Sequence, residues 1–467
     1  MPIYGLAWPA GDVFYICGGG GSTASGIKNR LVMAQGKAGG LSDQVADFNF
    51  GSNCPMRLAV TPDSRSIVFA MGTGGLRRLD VNPAAEAPKP AEVSDALQAR
   101  MSQVKGEVKS LAFNASGTLL ALGGDDGSLA VHEWPSMDVK MNLSGDRKLK
   151  DSVKDVDFST AEGSTAVAAV LDNGSLELWD WESGRLLSRL ERPKGHQFKS
   201  DRVIMMSSST HTMLQQLPAG MEAVSFSRVK FARDGTGRML TLLNNRSGCF
   251  VGSWVPRTDG MVGMVALHAS VRASEQPGGC FDVSADGSKV AVGDPEGGVV
   301  VLRSQPLLVL RRAAKCHMVF TTAVAFSPDG LHLLSTSADA SVTLTSTLPQ
   351  SPSSRMLAII ALLFLIILLI LMAQSPQVAA LLRPDSATLI PVQSTQLADS
   401  RWDAAAASAA ETADQMRALL ADGRALQDAA VSGLVVPGGE VAAAAAAAAE
   451  DSICWSCTKR RTEGSYS

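Results

Sequence analysis

The sequence predicts an all-β fold: a ring of seven small antiparallel sheets, tethered by one membrane-spanning helix and followed by a short tail. Three observations carry this expectation. Blocks of apolar and β-branched residues, each broken by two turns, recur along residues 1–349. One uninterrupted run of eighteen apolar residues follows at 356–373. Beyond it the chain becomes alanine-rich and of low complexity.

The repeat is visible when LAVTPDSRSIVFAMGTGGLRRLD (58–80) is set beside SLAFNASGTLLALGGDDGSLAVHEW (110–134). The blocks 155–181, 229–254, 281–303 and 323–345 have the same plan. In each, two turns separate at least three short strands. Equivalent turns lie about 43 to 53 residues apart, the period of a propeller blade, in which four strands form one twisted sheet. Six blocks and the N-terminal segment 4–34 make a seven-bladed β-propeller of WD-repeat type over residues 1–349. Asp126-Gly127 and Asn173-Gly174 are two-residue hairpin signals. Trp134, Trp179 and Trp254 end third strands, where a large ring packs between blades. Leu178-Trp179-Asp180 comes nearest to the WD dipeptide. A sandwich of two sheets would leave the period without a cause. Glu191–Glu222 interrupts it as a local insertion.

Composition limits what this fold does. Hydrophobic residues are 46% of 467, which excludes a disordered chain. A net charge of −3 with mixed signs argues against nucleic acid as a partner. Seven cysteines in this length are no disulfide scaffold. The mean hydropathy of +0.11 is high for a soluble chain and traces to MLAIIALLFLIILLILMA at 356–373. Apolar on every face, this run spans about 27 Å as a helix, the hydrocarbon thickness of the ER bilayer. It follows a short linker, 350–355, and reads as a transmembrane helix. No cleavable leader is expected in MPIYGLAWPAGDVFYICGGGG, so the propeller is expected in the cytosol and the tail 374–467 in the lumen. Arg303, Arg311, Arg312, Lys315 and Arg355 upstream, against Arg383 just downstream, agree with that orientation.

The most informative stretch is GGGGSTASGIKNRL at 18–31. Gly18, Gly19, Gly20 and Gly21 permit backbone conformations that side chains forbid, so a loop can fold tightly with carbonyls inward. A nucleoside-phosphate loop needs Gly-Lys-Ser/Thr and a following helix; neither is present, and Arg30-Leu31-Val32-Met33 continues as a strand. Inward carbonyls of Gly18 and Gly20 with the Asn29 amide suit a weakly hydrated monovalent ion, and no carboxylate lies within the loop to favour Ca²⁺ or Mg²⁺. Ile27, between Gly26 and Lys28, has no apolar neighbour in the loop to bury it. The six histidines, His132, His196, His211, His268, His317 and His332, lack metal-ligand spacing, and no catalytic constellation or organic cofactor is expected.

This glycine loop, early in a seven-bladed propeller that ends in one apolar span, resembles the family of Sec-twelve and prolactin regulatory element-binding protein. FDVSADGSKVAVGDPEGGVVVL and HMVFTTAVAFSPDG extend the resemblance, which covers residues 1–373. It implies an ER-membrane guanine-nucleotide exchange factor for the Sar-type small GTPase, which starts COPII coat assembly and ER-to-Golgi transport. It implies further that a potassium ion holds the loop, with Gly18, Gly20 and Asn29 as its ligands. Gly26, Ile27, Lys28 and Asn29 would then meet the GTPase. Related plant proteins of this architecture instead assist the ER exit of a phosphate transporter, which stands as the alternative. Exchange makes and breaks no bond, so no catalytic residue is implied.

Past the span, 402–431 reads as a helix ended by Pro437-Gly438-Gly439, and eight alanines follow. Cys454-Trp455-Ser456-Cys457 is a C-x-x-C pair without a surrounding domain, so a tail disulfide is a better reading than a redox site. The final residues carry no KDEL-type retrieval signal.

Overall fold

The computed structural model describes residues 1–349 apart from 23–24, 38–39, 83–88, 192–201, 208–211 and 258–263, together with 362–367 and 453–454. Seven antiparallel sheets are formed in chain order. Their first strands are Ile3–Ala10, Pro55–Val60, Val108–Phe113, Val153–Phe158, Ser225–Phe231, Cys280–Val283 and Thr321–Phe326. Each packs beside the first strand of the next sheet, and Ile3–Ala10 packs beside Thr321–Phe326. The sheets are therefore the blades of a closed ring with the first strands innermost. The seven-bladed propeller expected from the repeat is what the chain forms.

The period-two alternation of the strands explains why a ring is needed. In Val13–Gly18, the second strand of blade one, Phe14 and Ile16 face a buried cluster shared with Ala325, Leu334 and Val342 of blade seven. Tyr15 and Cys17, pointing the other way, join a cluster with Ile67, Phe69 and Met71 of blade two. Every strand with two apolar faces needs cover on both sides, and each of the seven clusters fills one gap between consecutive blades. Burying a Leu, Ile, Val or Phe side chain contributes about 1.5–3 kcal/mol, so closure between blades seven and one is a large stabilising step. The tryptophans behave as expected at third-strand ends. Trp254 is fully buried and donates to Thr241 Oγ1 at 2.8 Å, while Trp179 donates to Glu177 Oε2 at 3.0 Å.

The interruption after Glu191 adds to a blade rather than standing apart. Arg202–Ser207 pairs with Arg185–Glu191 and Thr212–Gln216 pairs with Arg202–Ser207, so blade four has six strands. A short helix, Ala96–Ser102, lies between blades two and three, its first turn capped by Asp95, which accepts from the Gln98 N–H at 2.8 Å.

Of the apolar run, residues 362–367 are described; they are helical, and all six side chains are exposed. At 100° per residue, six successive positions cover every face of a helix. Among the described residues no helix is long enough to cross a membrane. The 402–431 helix and Cys457 lie outside the described residues. Ile453–Cys454 forms a two-residue strand against Val342–Ser346, the third strand of blade seven.

Candidate functional site: the glycine loop of blade one

Inner strands of a ring run in one direction, so connections between second and third strands open on the same face as those between blades. The glycine loop joins Val13–Gly18 to Asn29–Lys37 and therefore belongs to that face. The connection from blade one to blade two, 52–54, and that from blade six to blade seven, 314–320, lie there too.

Three of the four glycines are required by space. A Cβ on Gly18 would stand 2.0 Å from the Pro2 carbonyl oxygen, and one on Gly19 2.2 Å from Asn29 Oδ1. A Cβ on Gly20 would stand 2.1 Å from Ser25 Oγ and 2.9 Å from Ile27 Cβ. Gly21 and Gly26 are required by conformation, with φ of +80° and +72°.

Asn29 fixes the loop. Only 2% exposed, it accepts from the Gly21 N–H at 3.0 Å and donates through Nδ2 to the Gly21 and Gly51 carbonyls, both at 2.9 Å. Its amide thus ties the loop to itself and to the start of the next connection. Gly21 also meets the buried Cys54 thiol, whose pKa is raised chiefly by burial and partly offset by the Gly21 N–H. The Ile27 N–H donates to Ser25 Oγ at 3.3 Å. Ile27 is 43% exposed and belongs to no buried cluster, and its Cβ lies against Gly20. Gly26 and Lys28 are exposed beside it.

The predicted site residues are therefore brought together, with Asn29 acting as a clamp. Whether they suit a monovalent cation turns on the donors. The oxygens nearest the missing Cβ atoms of Gly18, Gly19 and Gly20 belong to a carbonyl, an amide and a hydroxyl, all neutral. Of these three, only Asn29 is among the expected ligands, and its Oδ1 already accepts one hydrogen bond. Among the described residues no cluster of three His, Cys, Asp or Glu is placed for a metal.

The same face exposes Met318 (89%), Val319 and Phe320, a triplet the sequence reading passed over. They follow His317, which is buried between Ser341 Oγ (2.5 Å to Nδ1) and Ser335 Oγ (2.8 Å to Nε2), while the Met318 N–H donates to Asp339 Oδ2 at 2.7 Å. Locked side chains of the blade thus hold an apolar tip outward. Gly51, Cys54 and Ser25 were also missed. Nothing local marks them, because their role exists only once the loop is folded.

The model of the "WD domain, G-beta repeat" family matches residues 99–133 and 308–345. SEC12-like protein 2 of Arabidopsis thaliana is 27% identical over 324 residues, 69% of this chain and 72% of that protein. SEC12-like protein 1 of the same plant is 27% identical over 239 residues, 51% of this chain and half of that protein. The chain is thus similar to SEC12-like proteins over half to two thirds of its length. A solved structure, the C-terminal WD40 domain of Sif2, matches with a TM-score of 0.48 at 14% identity, over 75% of this chain and 96% of that one. In this chain the loop of blade one joins sterically required glycines and the Asn29 clamp to an exposed apolar side chain.

Proposed function

We propose that this chain is a guanine-nucleotide exchange factor for a Sar-type small GTPase, acting at the ER membrane to start COPII coat assembly and ER-to-Golgi transport. The kinship with SEC12-like proteins supports a small-GTPase partner in ER export. The observation that carries the reading is Ile27, a β-branched side chain 43% exposed and outside every buried cluster, on a loop that Asn29 clamps.

Exchange is a matter of differential binding. A partner that prefers the GTPase without nucleotide weakens nucleotide binding by the same factor by which nucleotide weakens the partner. Ile27 is the apolar anchor for a pocket beside the GTPase switches, since a few such residues carry most of an interface's affinity. Gly26, Lys28 and Asn29 shape its approach. The clamp matters because a loop already ordered loses little entropy on docking. Potassium, bound by the Gly18 and Gly20 carbonyls with Asn29 Oδ1, would supply positive charge that keeps these oxygens turned inward.

The apolar run 356–373 is the membrane anchor, its described turns being apolar and exposed on every side. With the propeller cytosolic, a single crossing and the pairing of Ile453–Cys454 with blade seven exclude each other. Magnitudes decide between them. A two-residue ladder contributes about 0.5–1.5 kcal/mol per hydrogen bond. Each buried Leu, Ile or Phe contributes about 1.5–3 kcal/mol, and the run holds more than a dozen. In a bilayer the anchor wins and the pairing is given up.

The test is release of labelled GDP from a Sar-type GTPase by the full chain in detergent. Accelerated release in potassium buffer, slower in lithium at equal ionic strength, is expected. Equal rates in the two salts would remove the ion, and no acceleration would leave a transporter escort in place of an exchange factor.

A further inference from the structure

The channel through the ring carries, at its mouth, two arginines, Arg57 and Arg228, that form no ion pair among the described residues. The inner strands of blades two to five begin on the face that holds the glycine loop, and the space common to all four is the ring axis. A cavity of about 200 Å³ lies there, lined by Arg57, Glu107, Lys109, Lys154, Asp172 and Arg228 together with Met56 and Val108.

The two lysines are matched. Lys154 pairs with Asp172 at 3.1 Å, and Lys109 pairs with Asp125. Neither arginine has a carboxylate within ion-pair distance among the described residues. Arg57 spends one N–H on the Met56 carbonyl and Arg228 one on the Ser227 carbonyl, both at 2.8 Å. Each fork keeps further N–H donors for another acceptor. Asp155 and Glu107 act on Arg57 through space, so with Asp125 and Asp172 the carboxylates match the four cations in number, but none of them forms an ion pair with either arginine among the described residues. Burial, then the charge of Arg228, pushes the Arg57 guanidinium below its ordinary pKa, yet Arg57 stays open to water, as expected of a group inside a channel.

We propose that the channel mouth is a binding site for a phosphate-type oxyanion, gripped between the guanidinium groups of Arg57 and Arg228. Guanidinium forks match the oxygens of such a group in pairs, and low-dielectric walls strengthen the attraction. The cavity is below the ~300 Å³ at which organic-ligand pockets begin, so the occupant is a single oxyanion and not a nucleotide. Nothing in this depends on nucleotide exchange.

The probe is inorganic phosphate, added to the full chain in detergent and compared with acetate and with chloride at equal ionic strength. Melting temperature and ³¹P linewidth are read together. Phosphate is expected to raise melting and broaden its own line where acetate and chloride do neither. Arg57→Gln and Arg228→Gln are each expected to weaken binding at least tenfold, with Arg228→Lys between them and the parent. Should Arg228→Gln not fold, the water-exposed Arg57→Gln decides alone. Equal responses to all three salts, a response to acetate alone, or phosphate binding that survives Arg57→Gln would overturn the proposal.

Discussion

Asn29 shows how much one amide can hold. Its replacement by alanine strips partners from the Gly21 N–H and from the Gly21 and Gly51 carbonyls. Leaving such groups unsatisfied costs about 1–3 kcal/mol, less where water enters. For Asn29→Ala we expect melting to fall by only a few degrees, at about 2–4 °C per kcal/mol, while amide protons of 18–29 exchange with solvent far faster. Unchanged protection there would mean that the glycines alone hold the loop. His317 gives a second, pH-dependent test. Burial lowers its pKa, with Asp339 opposing weakly, so the folded chain resists a proton that the unfolded chain accepts below about 6.5. The unfolded state then binds more protons, and stability is lost as pH falls from 6.5 through the folded value, with no contribution above. Thermal melting at pH 5.5 and 7.5 should therefore differ less in His317→Gln than in the parent. An identical difference would assign the effect elsewhere, His132 being the other described histidine shifted down.

At the scale of elements, the blades were legible because short apolar blocks, each broken by turns, recur at a regular spacing. Blade four is the exception. Its two added strands, RVIMMS and TMLQQ, are apolar enough but fall outside the repeat period and are joined by no Asp-Gly or Asn-Gly turn, so the pattern left them as an insertion. The glycine loop was legible for the opposite reason, since four consecutive glycines are costly unless the backbone needs them. Topology is the prediction that belongs here. Asn114, Asn142, Asn173 and Asn245 all stand in Asn-x-Ser/Thr sequences, and Asn142 and Asn173 are exposed. With the propeller in the cytosol none carries a glycan, and endoglycosidase should leave the native protein's mobility unchanged. A shift would reverse the orientation and remove the propeller from any cytosolic GTPase.

The whole molecule adds what neither residues nor elements contain. Arg57 and Arg228 lie in different blades and meet at one cavity only because the ring closes, so no motif in the sequence announces the channel mouth. Ring closure also explains why the glycine loop and Met318-Val319-Phe320, far apart in sequence, open on one face. The central claim is that this face presents Ile27 to a GTPase. The most direct measurement is GDP release from a Sar-type GTPase by the parent chain and by Ile27→Asp, with melting recorded for both. Ile27 is outside the core, so melting should be nearly unchanged. Release should slow at least tenfold, the equivalent of about 1.4 kcal/mol of lost contact. Normal release by Ile27→Asp with normal melting would contradict the account.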